Sequence, residues 1–460
     1  MPVSERLLPL LACPRCDRTP LNPSGDALSC PACKTDFPEI GGVPWMFAEP
    51  DAALGQWRGR LHFALQQLAH ELQRLHAELA DDGLRASTRR RLQHQLEATE
   101  AHRLALQRLL SPIDVLPLEA NYESHLALRT RLPLDQGINT YYANAHRDWC
   151  WGNSENEASL EQVSKALRDS GDPDPGVTAV LGAGACRLAY DLHRSASSAL
   201  TVAIDFNPLL ILIAARMAAG ESLDLWEFPL APLTADDFAV ARKLSAPAPA
   251  GAGFHLLLAD ALRAPLAPGS FDTLLTPWLI DVVGEDFACF AARMNRLLKP
   301  GGRWINFGSL SFESSRRSAR LSAAEVLDVL SDAGFSVSTA FDAEIQYMSS
   351  PASRHSRRET VFTFAAVKDS EASAPPRHKA LPDWIVLGDK PVPLLPAFQT
   401  QALSTRIYAF IMSLIDGRRS IDDMASILEQ QKLMPRKEGV PAIRNFLTRM
   451  YDDSRRNPSL

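Results

Sequence analysis

Four of the seven cysteines in this 460-residue chain fall within its first 33 residues, as Cys13-x2-Cys16-x13-Cys30-x2-Cys33. Two residues between cysteines let a tight turn aim both sulfurs at one point, and two such knuckles complete a tetrahedral zinc site. In a reducing compartment four thiols in this pattern are better explained by a metal than by disulfides. Four thiolates saturate zinc and leave no position for water, so the expected metal is structural. A second set of residues points to a bound cofactor. Gly182-Ala183-Gly184 follows an apolar run and precedes a helical pattern opening at Arg187. Glycine there lets the backbone approach a ligand where a Cβ would clash. Asp205 ends the next apolar run, 21 residues after Gly184, where a carboxylate can accept both hydroxyls of a ribose. Asp260, after a third run, is placed to accept from an adenine amine. Asp281 sits in the run Leu279-Ile280-Asp281-Val282-Val283, where a carboxylate is costly unless a cation or hydrogen-bond donor meets it.

The glycine loop departs from known forms in an informative way. A dinucleotide site would place its third glycine at Arg187, and the shorter G-x-G-x-G form would place it at Cys186. The later blocks decide between them. Phe271-Asp272 and LLKPGGRWINFG follow the glycine loop, Asp205 and Asp260 in the order of a class I (Rossmann-like) fold that binds S-adenosyl-L-methionine. The apolar runs 177–184, 199–205, 254–260, 271–279 and 302–308 each read as a strand, the first four alternating with helices. The run 360–368 closes the set as an edge strand. The expected architecture is therefore an α/β catalytic domain over 121–368.

Other elements flank that domain. Leu61, Leu65, Leu68, Leu72, Leu75 and Leu79 alternate by four and three residues, the seam of an amphipathic helix. Asp81-Asp82-Gly83 breaks it before Leu92, Leu96, Leu106 and Leu110 resume the register, which predicts a helical hairpin over 51–120. Residues 1–50 would be the zinc ribbon, 369–383 a polar, Pro-rich linker, and 384–460 a small helical accessory domain.

The stretch LLACPRCDRTPL…LSCPACKTDFPEIGGVPWMF resembles the small zinc-ribbon protein that binds and activates several tRNA and protein methyltransferases. The segment 139–368 is similar to the carnosine N-methyltransferase family, through YYANAHRDW (141–149), LGAGACRLAYDL (181–192), Asp205-Phe206-Asn207, PWLIDVV (277–283) and GRWINFGSLSF (302–312). That resemblance implies a Rossmann-like methyltransferase in which Asn144 and Arg147 contact the methionine end of the cofactor, Gly182 and Gly184 line it, Asp205 takes the ribose and Asp260 the base. It further implies that Asp281 grips a substrate imidazole through one N–H, leaving the other nitrogen's lone pair for the methyl group. Tyr347 would retain a family tyrosine in the pocket. A family histidine aligns with Glu313, and a late tyrosine cluster becomes His355-Ser356-Arg357-Arg358, so the same substrate is not implied.

The run LIDGRRSIDDMA near the C-terminus looks like small winged-helix domains, among them the peptide chaperone of pyrroloquinoline quinone biosynthesis. A peptide-binding role, a structural or regulatory cap, and a DNA-binding helix-turn-helix stand as readings of it. Lys and Arg number 48 against 54 Asp and Glu, a net charge of −6, which argues against a partner held by bulk nucleic-acid or membrane charge. The absence of a long apolar run predicts a cytoplasmic protein. The function expected is N-methylation of a small peptide or imidazole-bearing substrate. Methylation of tRNA or a translation protein, and a non-catalytic scaffold that binds the cofactor, stand as alternatives. Oligomeric state is open. Of the remaining cysteines, Cys150 and Cys289 read as core and Cys186 as the replacement for a loop glycine.

Overall fold

Strands buried on both faces read as continuous apolar runs, whereas strands with one wet face alternate, and both kinds occur here. The computed structural model describes residues 4–25, 27–114, 137–195, 200–312, 314, 316–379 and 382–456. The described residues divide into two units, one of 4–114 with 137–379, the other of 382–456. The first unit begins with a four-stranded antiparallel ribbon, β1 (Asn22–Ser24), β2 (Ala27–Ser29), β3 (Asp36–Ile40) and β4 (Val43–Pro44). The hairpin follows as α1 (Pro50–Leu79) and α2 (Ala86–Leu109). Leu61, Leu75, Leu92, Leu106 and Leu110 of the expected seam are buried.

Beyond it come α3 (Tyr142–His146), a single π-turn over Arg147–Trp151, and α4 (Asn153–Asp169). The α/β part then runs β5 (Val177–Leu181), α5 (Arg187–Ser195), β6 (Leu200–Asp205), α6 (Pro208–Ala218), a two-stranded insertion β7 (Ser222–Glu227) and β8 (Val240–Ser245), β9 (Phe254–Leu258), β10 (Phe271–Pro277), α7 (Phe287–Leu297), β11 (Leu298–Gly308), α8 (Ala323–Asp332), β12 (Phe335–Tyr347) and β13 (Arg357–Lys368). Seven of these strands form one sheet in the order β12-β13-β11-β10-β5-β6-β9. The five from β11 to β9 are parallel, and β13 and β12 are antiparallel additions. This is the Rossmann-like class I methyltransferase fold.

Two sequence expectations are corrected here. The run 360–368 is not the edge, because β13 lies between β11 and β12. Its burial on both faces from Val361 to Ala366 reflects that interior place, while β12 alternates exposed and half-buried residues as an edge strand does. No α-helix separates β9 from β10 either. The connection holds only a 3-10 turn at Ala261–Arg263, in a segment carrying Pro265 and Pro268. The ribbon fills that layer instead. Leu7, Leu11, Leu28, Phe37 and Met46 share one core with Val202, Ile204, Leu257 and Leu266. Backbone bonds seal the contact, with Met46 N–H donating to Leu258 O at 2.7 Å and Ala12 N–H to Pro265 O at 3.0 Å.

The polar segment after β13 is held along its first ten residues. Asn295 Nδ2 donates to Ser370 O at 2.9 Å, and Arg377 pairs with Asp17 of the ribbon at 2.9 Å. The second unit contains α9 (Asp383–Val386), α10 (Pro396–Ser413), α11 (Ile421–Gln430) and α12 (Arg436–Arg456) around Ile411, Met424, Leu428 and Ile443. Ser420 caps α11 in a reciprocal box with Asp423. Among the described residues this unit is helical and has no strand, which is compatible with the helical part of the expected accessory domain. No described helix is long and apolar enough to cross a membrane.

Candidate active site

The glycine loop leaves β5 at the C-terminal edge of the sheet, the side on which open α/β sheets bind ligands. Gly182 and Gly184 both have positive φ, +70° and +58°. They serve different ends. A Cβ on Gly182 would lie 2.8 Å from Leu279 Cδ1, so this glycine lets the loop pack on the end of β10. A Cβ on Gly184 would meet nothing within 4 Å, which leaves an open cradle over the loop. Gly184 N–H donates to Asp205 Oδ2 at 2.8 Å, and Asn207 N–H donates to Asp205 Oδ1 at 2.8 Å. Each oxygen keeps acceptor capacity for a hydroxyl. Burial pushes the Asp205 carboxyl up to about 6, against the backbone N–H groups of Asn207, Gly184 and Phe206, which pull it down. Asp260, following β9, accepts from Leu262 N–H at 2.8 Å, and burial raises its pKa as well. These residues fit a nucleoside with a free ribose and an adenine.

Residues 180–306 match a family model described as a methyltransferase domain. This is an S-adenosylmethionine-dependent, class I methyltransferase domain. No curated protein matches the sequence. The chain is similar to a Haloferax volcanii complex between a methyltransferase activator and a chain of proposed methyltransferase activity (16% identity, 52% of this chain and 97% of that one, TM-score 0.34). It is also similar to magnesium protoporphyrin IX methyltransferase from Synechocystis PCC 6803 with bound S-adenosylmethionine (14%, 53% and 91%, TM-score 0.30). A third similar structure is the N-methyltransferase NodS from Bradyrhizobium japonicum with S-adenosylhomocysteine (12%, 47% and 89%, TM-score 0.31).

Beside the glycine loop, the C-terminal ends of β10, β11 and β12 come together. Asp281 is 4% exposed. Its Oδ2 accepts from Ser309 Oγ–H at 2.6 Å and Ser311 N–H at 2.7 Å, while its buried Oδ1 has no partner among the described residues. It caps no helix; it is pinned to the end of β11. Three residues earlier, Trp278 sits at φ +51° with its N–H on Phe307 O at 2.8 Å. A Cβ on Gly308 would come within 2.8 Å of the Trp278 backbone, so glycine is required where the two strand ends meet. The Trp278 ring lies 4.6 Å from that of Tyr347, at the end of β12. The guanidinium carbons of Arg147 and Arg357 stand 5.4 and 4.7 Å from the Tyr347 ring centroid.

Arg147 is not at the surface. Its side chain is 16% exposed and its Nη2 and Nε both donate to Asp148 Oδ1, at 2.6 and 2.8 Å. Burial disfavours the charge, and Asp148, Tyr347 and Glu155 override it, raising the pKa. Asn144 lies one turn earlier on α3 and is half-buried. Trp149 is core, with its Nε1–H on Ala185 O at 2.8 Å, and Arg187 is buried, donating to Asp148 O at 2.7 Å. Cys150 and Cys289 are half-buried, and Cys150 packs against the core. The structure thus brings Trp278 and Arg147 to Tyr347, with Asp281 three residues on from Trp278 and bonded to the end of β11, and joins Gly184 to Asp205 beside β5 and β6. Glu313 lies outside the described residues. Sequence reasoning missed Trp278, Ser309 and Ser311, although all three stand inside blocks that carry the family resemblance. It also missed Asp148, inside the block YYANAHRDW, and Glu155, which no local pattern marks.

The four cysteines form a closed cage. Every pair of their sulfurs lies within 4.8 Å, with Cys13–Cys33 and Cys16–Cys30 at 3.6 Å. Four ligands around a metal with Zn–S near ~2.3 Å have edges of about 3.8 Å, so the cage fits a tetrahedral metal. Among the described residues it is the one such cluster of His, Cys, Asp and Glu side chains.

Proposed function

We propose that this chain transfers a methyl group to a nitrogen of a small peptide or other imidazole-bearing substrate, with a structural zinc ion in the ribbon. The observation that carries the reading is the divided environment of Asp281. One oxygen is held by Ser309 and Ser311, and the other is buried without a donor among the described residues. A buried acceptor left unpaired costs about 1–3 kcal/mol, and a substrate N–H removes that cost. S-adenosylmethionine, when bound, supplies an electrophilic methyl on sulfur. Gly184, Asp205 and Asp260 would hold its nucleoside, with Asn144 and Arg147 at its amino-acid end. Asp281 then fixes the imidazole tautomer by accepting from one ring nitrogen, which leaves the other unprotonated and directed away from the carboxylate. Trp278 and Tyr347 offer flat apolar faces to the ring. Arg357, beside Tyr347, pairs with Glu359 through Nε at 2.8 Å, and its two remaining guanidinium nitrogens suit a substrate carboxylate.

The test is methyl transfer from labelled S-adenosylmethionine to a panel of β-alanyl-histidine, histidine-containing tripeptides, histamine and bulk tRNA, with the product mapped by mass spectrometry. Label on an imidazole nitrogen is the expected result. Label on tRNA alone would replace this reading with a nucleic-acid substrate, and no label with folded, cofactor-binding protein would remove the catalytic claim.

A further inference from the structure

Glu155 is a buried carboxylate, 5% exposed, in the first turn of α4. Its oxygens accept from two successive backbone N–H groups, Met348 at 2.9 Å and Ser349 at 2.8 Å. Those two residues open the turn that leaves β12 directly after Tyr347, and Met348 takes φ +55°, a left-handed conformation unfavourable for a side chain of this kind. A strained turn of this sort persists only where its surroundings over-determine it, and here the two-pronged carboxylate does so. The same element begins at the π-turn that carries Arg147, whose guanidinium faces the Tyr347 ring. Tyr347 in turn packs on Trp278, three residues from Asp281.

We propose that Glu155 is a positioning residue: by clamping the Met348–Ser349 amides it sets the place of the Tyr347 ring against Trp278 and Arg147, and so the shape of the substrate pocket. The inference rests on Tyr347 facing substrate. Glu155 itself is too deeply engaged by backbone to touch substrate. Its replacement by glutamine keeps the shape but turns one acceptor into a donor facing an N–H, so one arm of the clamp opens.

The test uses the full chain labelled with 3-fluorotyrosine, the Tyr347 fluorine signal being assigned by Tyr347→Phe. Glu155→Gln is expected to shift or split that signal and to speed hydrogen exchange over 346–350, with β13 protection unchanged. Glu344→Gln, on the same strand as Tyr347, removes an exposed pair with Arg358 of β13; it serves as the control and is expected to do neither. If Glu155→Gln does not fold, Glu155→Asp, one methylene shorter, reports the same signal. An unmoved fluorine resonance overturns the clamp. With an imidazole dipeptide that the wild type methylates, KM should rise ~10-fold or more while KM for S-adenosylmethionine stays within about twofold. A shifted resonance with unchanged substrate KM would reduce Glu155 to a structural anchor and overturn the positioning role. If the wild type methylates no imidazole compound, the substrate reading falls, and the Tyr347 signal still decides the clamp.

Discussion

Gly184 donates its backbone N–H to Asp205 Oδ2 at 2.8 Å, tying the glycine loop after β5 to the end of β6 across 21 residues of chain. The carboxylate that would meet the ribose is therefore the one that shapes the loop. Loss of its charge acts on both.

That coupling sets a pH dependence. Burial raises Asp205 from 3.8 to about 6. The folded chain then holds this proton where the unfolded chain has lost it. Between about 4 and 6 this group adds stability as pH falls. Cofactor binding runs the other way, because the ribose hydroxyls need the ionised acceptor. Affinity for S-adenosylhomocysteine should weaken by up to ~10-fold per pH unit below about 6, and Asp205→Asn should bind more weakly with little pH dependence. Calorimetry at pH 5, 6 and 7.5 checks this; a flat wild-type profile would refute it.

Cys186 carries φ +67° at the third position of the glycine loop, and its buried thiol lies 3.6 Å from Gly184 O. A non-glycine residue there bears a strain of ~1–2 kcal/mol. Both Cys186→Ala and Cys186→Gly lose the sulfur, but only glycine loses the strain. The glycine variant should be the more stable of the two by about 1 kcal/mol in urea unfolding, the reverse of the usual alanine–glycine order. Alanine at or above glycine would show that the loop is not strained at this residue.

Asp281→Asn can keep the bonds from Ser309 and Ser311 on its carbonyl oxygen while replacing the unpartnered Oδ1 by an N–H donor. The fold should survive. Turnover of an imidazole substrate should drop ~100-fold or more, with S-adenosylhomocysteine affinity within about twofold. Tenfold weaker cofactor binding would move Asp281 to the cofactor side.

The ribbon is part of the catalytic unit. Met46 bonds to Leu258, Ala12 to Pro265, and Arg263 donates to Pro14 O and pairs with Asp17, so contacts from the ribbon flank Asp260 on both sides. Because the cage organises the knuckles bearing Pro14 and Asp17, stripping the metal or making Cys30→Ser should lower Tm by several degrees and weaken cofactor binding together. Elemental analysis is expected to find one zinc per chain. Unchanged Tm and affinity after chelation would make the ribbon an independent appendage.

Much of this protein is legible from its residues. The two Cys-x2-Cys knuckles, the leucine seam of the hairpin, the apolar runs of β5, β6 and β9, the glycine loop and Asp205 are local patterns, set by turn chemistry and by the periods of helix and strand. They specify which elements form and which carry the groups proposed to hold the cofactor. The apolar run of β13 and the alternation of β12 mark an interior and an edge strand, but no local pattern says which neighbours they pair with. Only the tertiary structure decides that the ribbon replaces a helix on the sheet, that Arg147 spends its charge on Asp148, and that Glu155 holds a turn 193 residues away. Those outcomes depend on which buried donor finds which acceptor across long stretches of chain. Side chains meet such demands by packing and hydrogen bonding, and neither leaves a period in the sequence.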